Sequence, residues 1–504
     1  MNLKIYFWRL LIAFLLVHVI TLNAFESGSA DTAAFIDEQR ILIKQFQKDS
    51  KIKGLAVALF DNERIIWSEG FGYSNSDKKQ LIDTGTIFNI QSMSKTFTTT
   101  AIMKAVQDGL IDLDTPITKY LPQFSIHSCY EKNPENKITL RLMLGHAAGF
   151  THEAPVGNNH DASFDSYEQH YISIYNTWLK FPVGKKYSYS NLGFDLAAQI
   201  IEKMSGMTFQ DYMKRQIFEP LLMTSTTVDI NTMLKSNNRT EGKIIGFKKL
   251  PIAIPMIGAA GVYTNVTDLV KFVQFHLNFG KVKDKPFIEK KYLYEMYTPI
   301  IIEDYALGIG ITQEKTTYSF FHLGGGFGFG ACMKWYPEYK VGFVILANGG
   351  CSPYEVVSKI LNNYINRGHA SRDTTFTQGF HPLKAFPRQL QRENKDAQNV
   401  LEIGMSTYRE EWAKYIGTYR FVFKGGFEFT WYADVARFLG YKTLKIKIYK
   451  RGNRIYLDEY NENNKSLGEK ELSEYITGLF FTNDGEALDF RSKIPTYRNF
   501  ELER

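Results

Sequence analysis

Two strand–turn–strand patterns lie far apart in the chain, and they limit its fold more than any other feature. Gly54 to Phe60 is a continuous apolar run, followed by Asp61-Asn62-Glu63 and then Arg64-Ile65-Ile66-Trp67. This reads as a strand, a turn and a strand. Gly330 to Tyr336 and Val341 to Ala347 read as a second hairpin around Pro337-Glu338. Between the two, residues 85–320 are mostly helical patches with Gly and Pro punctuation. Strands at both ends with helices between predict an α+β domain whose sheet is closed by the two ends of the segment. An amphipathic helix is expected over 31–48, with Phe35, Ile36, Ile41, Leu42, Ile43 and Phe46 as its apolar positions. The run Tyr354–Tyr364 is expected to pack back on the sheet.

The flanks differ in character. Residues 1–24 begin with Lys4 and Arg9, continue through an apolar run from Leu10 to Leu22 and end at Ala24. That is the pattern of a secretory signal peptide, with an apolar run short for a membrane span. An uncleaved anchor tethering the same domain to the outer membrane leaflet is the alternative, so the chain is expected to be exported, periplasmic or secreted. Residues 367–407 are polar, carry Pro382 and Pro387, and read as a linker. From 408 to 504 come short strand patterns: YIGTYRFVF, GGFEFTWYADV, LKIKIYK, RIYLDEY and GLFFTND. Turn signals separate them, which predicts a small all-β sheet or barrel.

Composition narrows the function. With 44% hydrophobic and 22% charged residues the chain is ordinary globular protein. A net charge of +7 spread over 504 residues is no nucleic-acid footprint, which needs a concentrated basic stripe. Three cysteines exclude a disulfide scaffold. Folding the second hairpin about Pro337-Glu338 places Cys332 opposite Phe343, short of Cys351, so three buried thiols are expected rather than a bridge. The scattered histidines form no metal constellation, no cofactor motif is present, and His152 and Glu153 read as solvated or structural. No oligomeric state follows from the sequence.

Three short motifs carry chemistry when taken together. Ser92-Met93-Ser94-Lys95 follows the apolar stretch Ile87–Ile90 and enters a helical pattern through Phe97, Ile102, Met103 and Val106. Ser-x-x-Lys also occurs at Ser50–Lys53 and Ser76–Lys79, but only at Ser92 does it open a helix. Residues three apart on a helix share a face, so amine and hydroxyl come within contact range and a desolvated lysine can take the serine's proton. Tyr189-Ser190-Asn191 is the second motif. In extended chain Tyr189 and Asn191 share a face, where a phenol can move protons and an amide can hold a substrate carbonyl. The third is His322-Leu323-Gly324-Gly325 on an edge-like strand. There His322 would face the cleft as a hydrogen-bond donor, and glycines would let a substrate backbone lie against the strand.

In this order the motifs resemble those of the serine β-lactamase-related family, in the branch with a class C-like Tyr-x-Asn motif. The similarity extends through TIFNIQSMSKTFTTTAIMKAVQDGLIDLDTPITKYLP, LRLMLGHAAGF and GAAGVYTNVTDLVKF, and covers roughly 31–366. It implies a β-lactamase/transpeptidase-like fold: an antiparallel sheet flanked by helices, plus a helical subdomain. It also implies that Ser92 is the acylated nucleophile, Lys95 its activating partner and Tyr189 the proton relay. Asn191, His322, Gly324 and Gly325 would bind substrate, and the backbone N–H groups of Ser92 and Gly325 would form the oxyanion hole. The YIGTYR segment at 415–420 resembles accessory β-barrel domains appended to this family.

Two departures shape the functional expectation. His322 stands where the family pattern has a lysine, which exchanges a permanent cation for a group mostly neutral at pH 7. Efficient β-lactam hydrolysis is therefore not expected. The resemblance implies an amide or ester hydrolase (D-amino-acid peptidase, esterase or β-lactamase-like) acting on a small molecule or peptide, since family members with a histidine here are often esterases, D-amino-acid peptidases or amidases. HAAGF at 146–150 replaces the usual HTSGL, with His146 as a structural helix-end residue. The alternative is a penicillin-binding-type receptor that is acylated and turns over poorly.

Overall fold

The structure is a computed structural model that describes residues 31–75, 80–163, 165–314, 317–376, 380–383, 407–424, 427–429, 444–461 and 464–504. The expected export segment at 1–24 lies outside the described residues. Among those described, no helix is long and apolar enough to cross a membrane.

A helix over 31–49 (α1) leads into β1 (Gly54–Asp61), β2 (Ile65–Asn75) and β3 (Gln80–Leu81). Helices and turns follow, among them α2 (Ser94–Gln107), α3 (Leu192–Ser205) and α4 (Val266–Leu277). The chain then returns to the sheet through β4 (Gly310–Glu314), β5 (Thr317–Gly326), β6 (Phe329–Tyr336) and β7 (Val341–Ala347), and ends this region with α5 (Tyr354–Asn366). The sheet is antiparallel in the order β3-β2-β1-β7-β6-β5-β4, so the first strand pairs with the last, as the two distant hairpins require. The chain has a β-lactamase/transpeptidase-like fold.

Strand β1 shows why the apolar run is continuous. Ala56, Ala58 and Phe60 join the core under the helical region, while Leu55, Val57 and Leu59 join a second core beneath α1 and α5. A sheet buried on both faces has no polar side to alternate with. In α1 the buried positions Phe35, Gln39 and Ile43 recur every four residues, and Ile41, expected on the apolar face, is 71% exposed. Helix α5 packs on β6 and β7 and contributes Val357, Ile360 and Leu361 to this second core.

The second hairpin is shifted from its expected register. Cys332 faces Ile345, and Lys334 faces Phe343, because Pro337–Tyr339 forms a helical turn and Lys340 adopts a left-handed φ of 47°. The loop is longer than a two-residue turn and moves the pairing by two. All three cysteines are free, but only Cys332 is buried; Cys129 and Cys351 are half-buried.

Beyond α5 the polar segment is not wholly detached. Phe376 is buried in the main core, where Phe380 and Leu383 pack against it. Residues 384–406 lie outside the described residues. Eight strands then close a barrel: β8 (Gly417–Phe421), β9 (Lys445–Arg451), β10 (Arg454–Tyr460), β11 (Ser466–Ile476), β12 (Leu479–Thr482), β13 (Ala487–Asp489), β14 (Thr496–Tyr497) and β15 (Phe500–Glu503). Closure by β8 on β15 leaves no exposed edge. Of GGFEFTWYADV, Glu428 and Phe429 pair with Lys249 and Phe247 of the first region instead of joining the barrel. Residues 430–435 are outside those described.

Candidate active site

Ser92 sits on a tight turn that the sequence builds from both sides. Gln91 adopts a φ of 51°, uncommon for a residue with a side chain. The Asn89 side chain stabilises it, accepting the Gln91 N–H at 2.8 Å. The helical turn Gln91–Met93 then runs into α2 and leaves Ser92 at the mouth of a cleft of about 290 Å³. Tyr189, Tyr305, Phe321, His322 and Gly325 line the same cleft.

Lys95, one turn along, is fully buried. Its Nζ lies 3.2 Å from Ser92 Oγ, 2.8 Å from Asn191 Oδ1 and 3.2 Å from the Ala259 carbonyl. Three acceptors match the three hydrogens of an ammonium, which is how a buried cation without a carboxylate beside it is tolerated. The rings of Tyr189 and Phe194 complete the enclosure, with centroids 4.8 and 5.5 Å from Nζ. The three-residue spacing thus brings amine and hydroxyl together as expected.

The Tyr-x-Asn segment is laced to residues 146–153. The His146 carbonyl accepts the Ser188 N–H, and His146 Nδ1 accepts that of Ser190. The Ser190 hydroxyl donates to the Thr151 carbonyl, and the Asn191 N–H to that of His152. His146 follows the short helix Leu140–Leu144, and its ring centroid lies 4.3 Å from that of Tyr189. Burial, with Lys95, His322 and His152 nearby, holds its imidazole well below the ordinary histidine range. A neutral ring that accepts at Nδ1 is a support for the tyrosine, consistent with a structural residue.

Asn191 departs from expectation. The amide expected to hold a substrate carbonyl is engaged at both ends within the protein: Oδ1 by Lys95, and Nδ2 by Glu153 Oε1 at 3.0 Å. Glu153 is fully buried, which excludes the solvated role. Its Oε1 also meets His152 Nδ1 at 2.7 Å and accepts from Asn159. Burial pushes its carboxyl up, but His152 and the Asn191 hydrogen bond outweigh this and leave it lowered.

On the strand side, β4 pairs only with residues 317–321 of β5, so His322 to Gly326 run past the end of their outer neighbour. Gly325 has open space where a side chain would stand, and it lines the cleft. Gly324, expected to face substrate, turns inward instead: a Cβ there would meet the Ile90 carbonyl oxygen at 2.1 Å. It is the residue that lets β5 approach the Ser92 turn. His322 Nδ1 lies 2.7 Å from the Leu323 carbonyl, which only accepts, so Nδ1 carries the hydrogen. Nε2 is then the acceptor for the Tyr305 hydroxyl at 3.1 Å. Burial, reinforced by Lys95, lowers the imidazole to about 3. Tyr305 was not singled out by its sequence context, DYALG; no local signal marks it. Among the described residues no cluster of three or more His, Cys, Asp or Glu side chains is arranged for a metal.

The family model described as Beta-lactamase matches residues 40–360. The chain belongs to the β-lactamase family. That places it in the serine hydrolase superfamily shared by β-lactamases and penicillin-binding proteins. Protein flp of Staphylococcus aureus (strain N315) is 25% identical over 330 residues, covering 62% of this chain and 63% of flp. The chain thus spans less than two thirds of the length of that relative. A Yersinia enterocolitica protein named Beta-lactamase is 28% identical over 339 residues, covering 59% of this chain and 82% of its own length. A solved structure, that of the octameric penicillin-binding protein homologue from Pyrococcus abyssi, shares the fold with a TM-score of 0.57 and 18% identity. It covers 93% of this chain and 99% of that one, so the likeness of fold extends past the 40–360 region. Within this β-lactamase-family chain, Ser92 and Tyr189 line the cleft, and Lys95 lies buried behind them.

Proposed function

We propose that the chain is an exported serine hydrolase that cleaves an amide or ester, such as a D-amino-acid peptide or a small ester, through a Ser92 acyl-enzyme. The observation that carries this reading is the 3.2 Å approach of Lys95 Nζ to Ser92 Oγ, with Nζ anchored on Asn191 and Ala259. Acylation uses the deprotonated amine: with two hydrogens kept on those acceptors, it turns a lone pair to Ser92 Oγ in place of the third N–H. The hydroxyl proton passes to Nζ as Oγ bonds to the substrate carbonyl carbon. The carbonyl oxygen takes the negative charge and receives the backbone N–H groups of Ser92 and Gly325, each worth about 3 kcal/mol to such a transition state. Tyr189 delivers its phenolic proton to the leaving nitrogen or oxygen as that bond breaks; it regains one from the water that attacks the acyl carbon, and Lys95 returns its proton to Ser92 Oγ as the acyl bond breaks. No metal or cofactor enters this scheme. The neutral His322–Tyr305 pair favours substrates without a carboxylate on that side, which sets β-lactams behind esters and neutral amides.

Labelling with a fluorophosphonate and a fluorescent penicillin tests the reading, with Ser92→Ala as control. Prompt labelling of the wild type by both probes, followed by release of the penicilloyl group alone, is expected, with p-nitrophenyl esters and D-alanyl peptides turned over faster than nitrocefin. A persistent penicilloyl adduct would turn the reading to a penicillin-binding receptor. Equal labelling of Ser92→Ala would remove the nucleophile altogether.

A further inference from the structure

The barrel presses on the wall that carries the Tyr-x-Asn segment. Its β14–β15 hairpin turns through Arg498 and Asn499, with φ of 53° and 67°. Two consecutive positive φ values make the tight turn in which asparagine is favoured. From that tip Asn499 Nδ2 donates to the Glu153 carbonyl at 2.8 Å. Thr151, two residues earlier, donates to Glu486 Oε2 at 3.0 Å, and Lys180 holds the other oxygen of Glu486 at 2.6 Å. Gly485 beside it sits so close to Lys180 that a Cβ would meet the Lys180 carbonyl oxygen at 2.1 Å. Two barrel turns therefore grip the chain on either side of His152.

The side chain of Glu153 passes this constraint inward. A carboxylate only accepts, so the Asn191 amide must present Nδ2 to Glu153 and, at its other end, Oδ1 to Lys95. Turned over, the amide would set its N–H groups against those of Lys95. We propose that the barrel is a working part of the acylation site: Asn499 holds Glu153 in place, and Glu153 fixes the amide of Asn191 that aims Lys95 at Ser92. Glu153 and Asn499 are positioning residues, since neither lines the cleft. The idea goes beyond the proposed hydrolase, and only its kinetic arm rests on acylation of Ser92.

The test uses the full chain and two readouts: the rate of fluorophosphonate labelling at Ser92, and hydrogen exchange of the amides at 187–192. Asn499→Gly keeps the positive φ and removes the donor. It is expected to label about 10-fold more slowly, and Glu153→Ala about 100-fold, the scale of an ångström-level misplacement, with the half-saturating probe concentration little changed. Glu153→Gln, whose carbonyl oxygen can still accept from Asn191, is expected to recover most of what Glu153→Ala loses. In Asn499→Gly, exchange at 187–192 is expected to quicken while the melting temperature of the chain stays close to wild type. Wild-type labelling rates in both Asn499→Gly and Glu153→Ala would overturn the proposal. So would Glu153→Gln as slow as Glu153→Ala, because charge and not acceptor geometry would then matter. If the wild type itself does not label, the hydrolase reading falls, and the exchange arm decides this one: unchanged exchange at 187–192 overturns it.

Discussion

The two walls of the cleft solve opposite problems. The helix wall buries a lysine and surrounds it: Asn191, Ala259 and Ser92 take its hydrogens, and Glu153 stands behind the amide. The strand wall carries no charge at all, since His322 donates to the Leu323 carbonyl and accepts from Tyr305. A buried cation is tolerated only where acceptors are built for it. The first wall has three; the second offers the Leu323 carbonyl and a phenol that donates to His322. The lesson is that this cleft concentrates its charge beside Ser92 and leaves the β5 wall neutral. The sharpest way to break that contrast is Lys95→Met, of similar length and without the amine. Fluorophosphonate labelling of Ser92 is expected to slow about 10³-fold, the range of a lost general base. A loss below about 10-fold would mean that the helix wall is not where the proton goes.

Putting charge on the strand wall is the next largest intervention. His322→Lys supplies a cation near the cleft, and a charge-assisted hydrogen bond to a carboxylate is worth about 1.5–3 kcal/mol. The ratio of penicillin labelling to ester-probe labelling is expected to rise about 10- to 100-fold. An unchanged ratio would show that the neutrality of this wall does not select the substrate.

Much of this contrast was legible before the structure, and the reason is spacing. Ser92 and Lys95 lie one helical turn apart, so the chain itself puts them together. The continuous apolar run at 54–60 announces a strand, and the second hairpin at 330–347 announces its partner. What stayed hidden depends on contacts that no local pattern encodes. Glu153 and Asn499 are 346 positions apart and meet only because a barrel turn reaches the helical region. Tyr305 lies in an irregular stretch and acquires its role from His322, 17 residues on. Gly324 looked like a place for substrate because glycine leaves room, whereas the Ile90 carbonyl already fills that room. The hairpin slipped by two residues because a helical turn at Pro337–Tyr339 lengthens its loop. Periodicity reports which face a residue occupies; it does not report what arrives at that face.

Tyr305→Phe probes the strand wall with a smaller expected effect. The ring stays and only the hydroxyl on His322 Nε2 goes, a neutral hydrogen bond of about 1 kcal/mol, or a roughly five-fold loss in kcat/KM for an ester. In a His322→Ala background the same change is expected to do almost nothing, because the partner is gone. Additive losses in the double variant would mean that Tyr305 acts on substrate by itself.

The smallest expected effect is an absence of change with pH. The imidazole of His322 is held at about 3, first by burial and then by Lys95, against an ordinary value of 6.5. Acidification from pH 7 to 5 therefore leaves the strand wall uncharged in the folded protein. On the proposed mechanism both probes acylate Ser92 through Lys95, so the titration of that shared machinery cancels in the ratio of their labelling rates. The ratio is expected to stay flat across this window. A rise with a midpoint near 6.5 would instead report a solvated histidine becoming a cation, and the two walls would then differ by degree and not in kind. The same lowered imidazole has a second consequence. The unfolded chain takes up a proton near the ordinary value, and the folded one does so only near 3. The contribution of His322 to stability is thus fully present above about pH 6.5 and declines as pH falls toward about 3, at no more than roughly 1.4 kcal/mol per pH unit. Denaturant titration of the wild type and His322→Gln at pH 7 and pH 5 reads this directly. The wild type is expected to lose more stability on acidification than the variant, because glutamine has no proton to gain on unfolding.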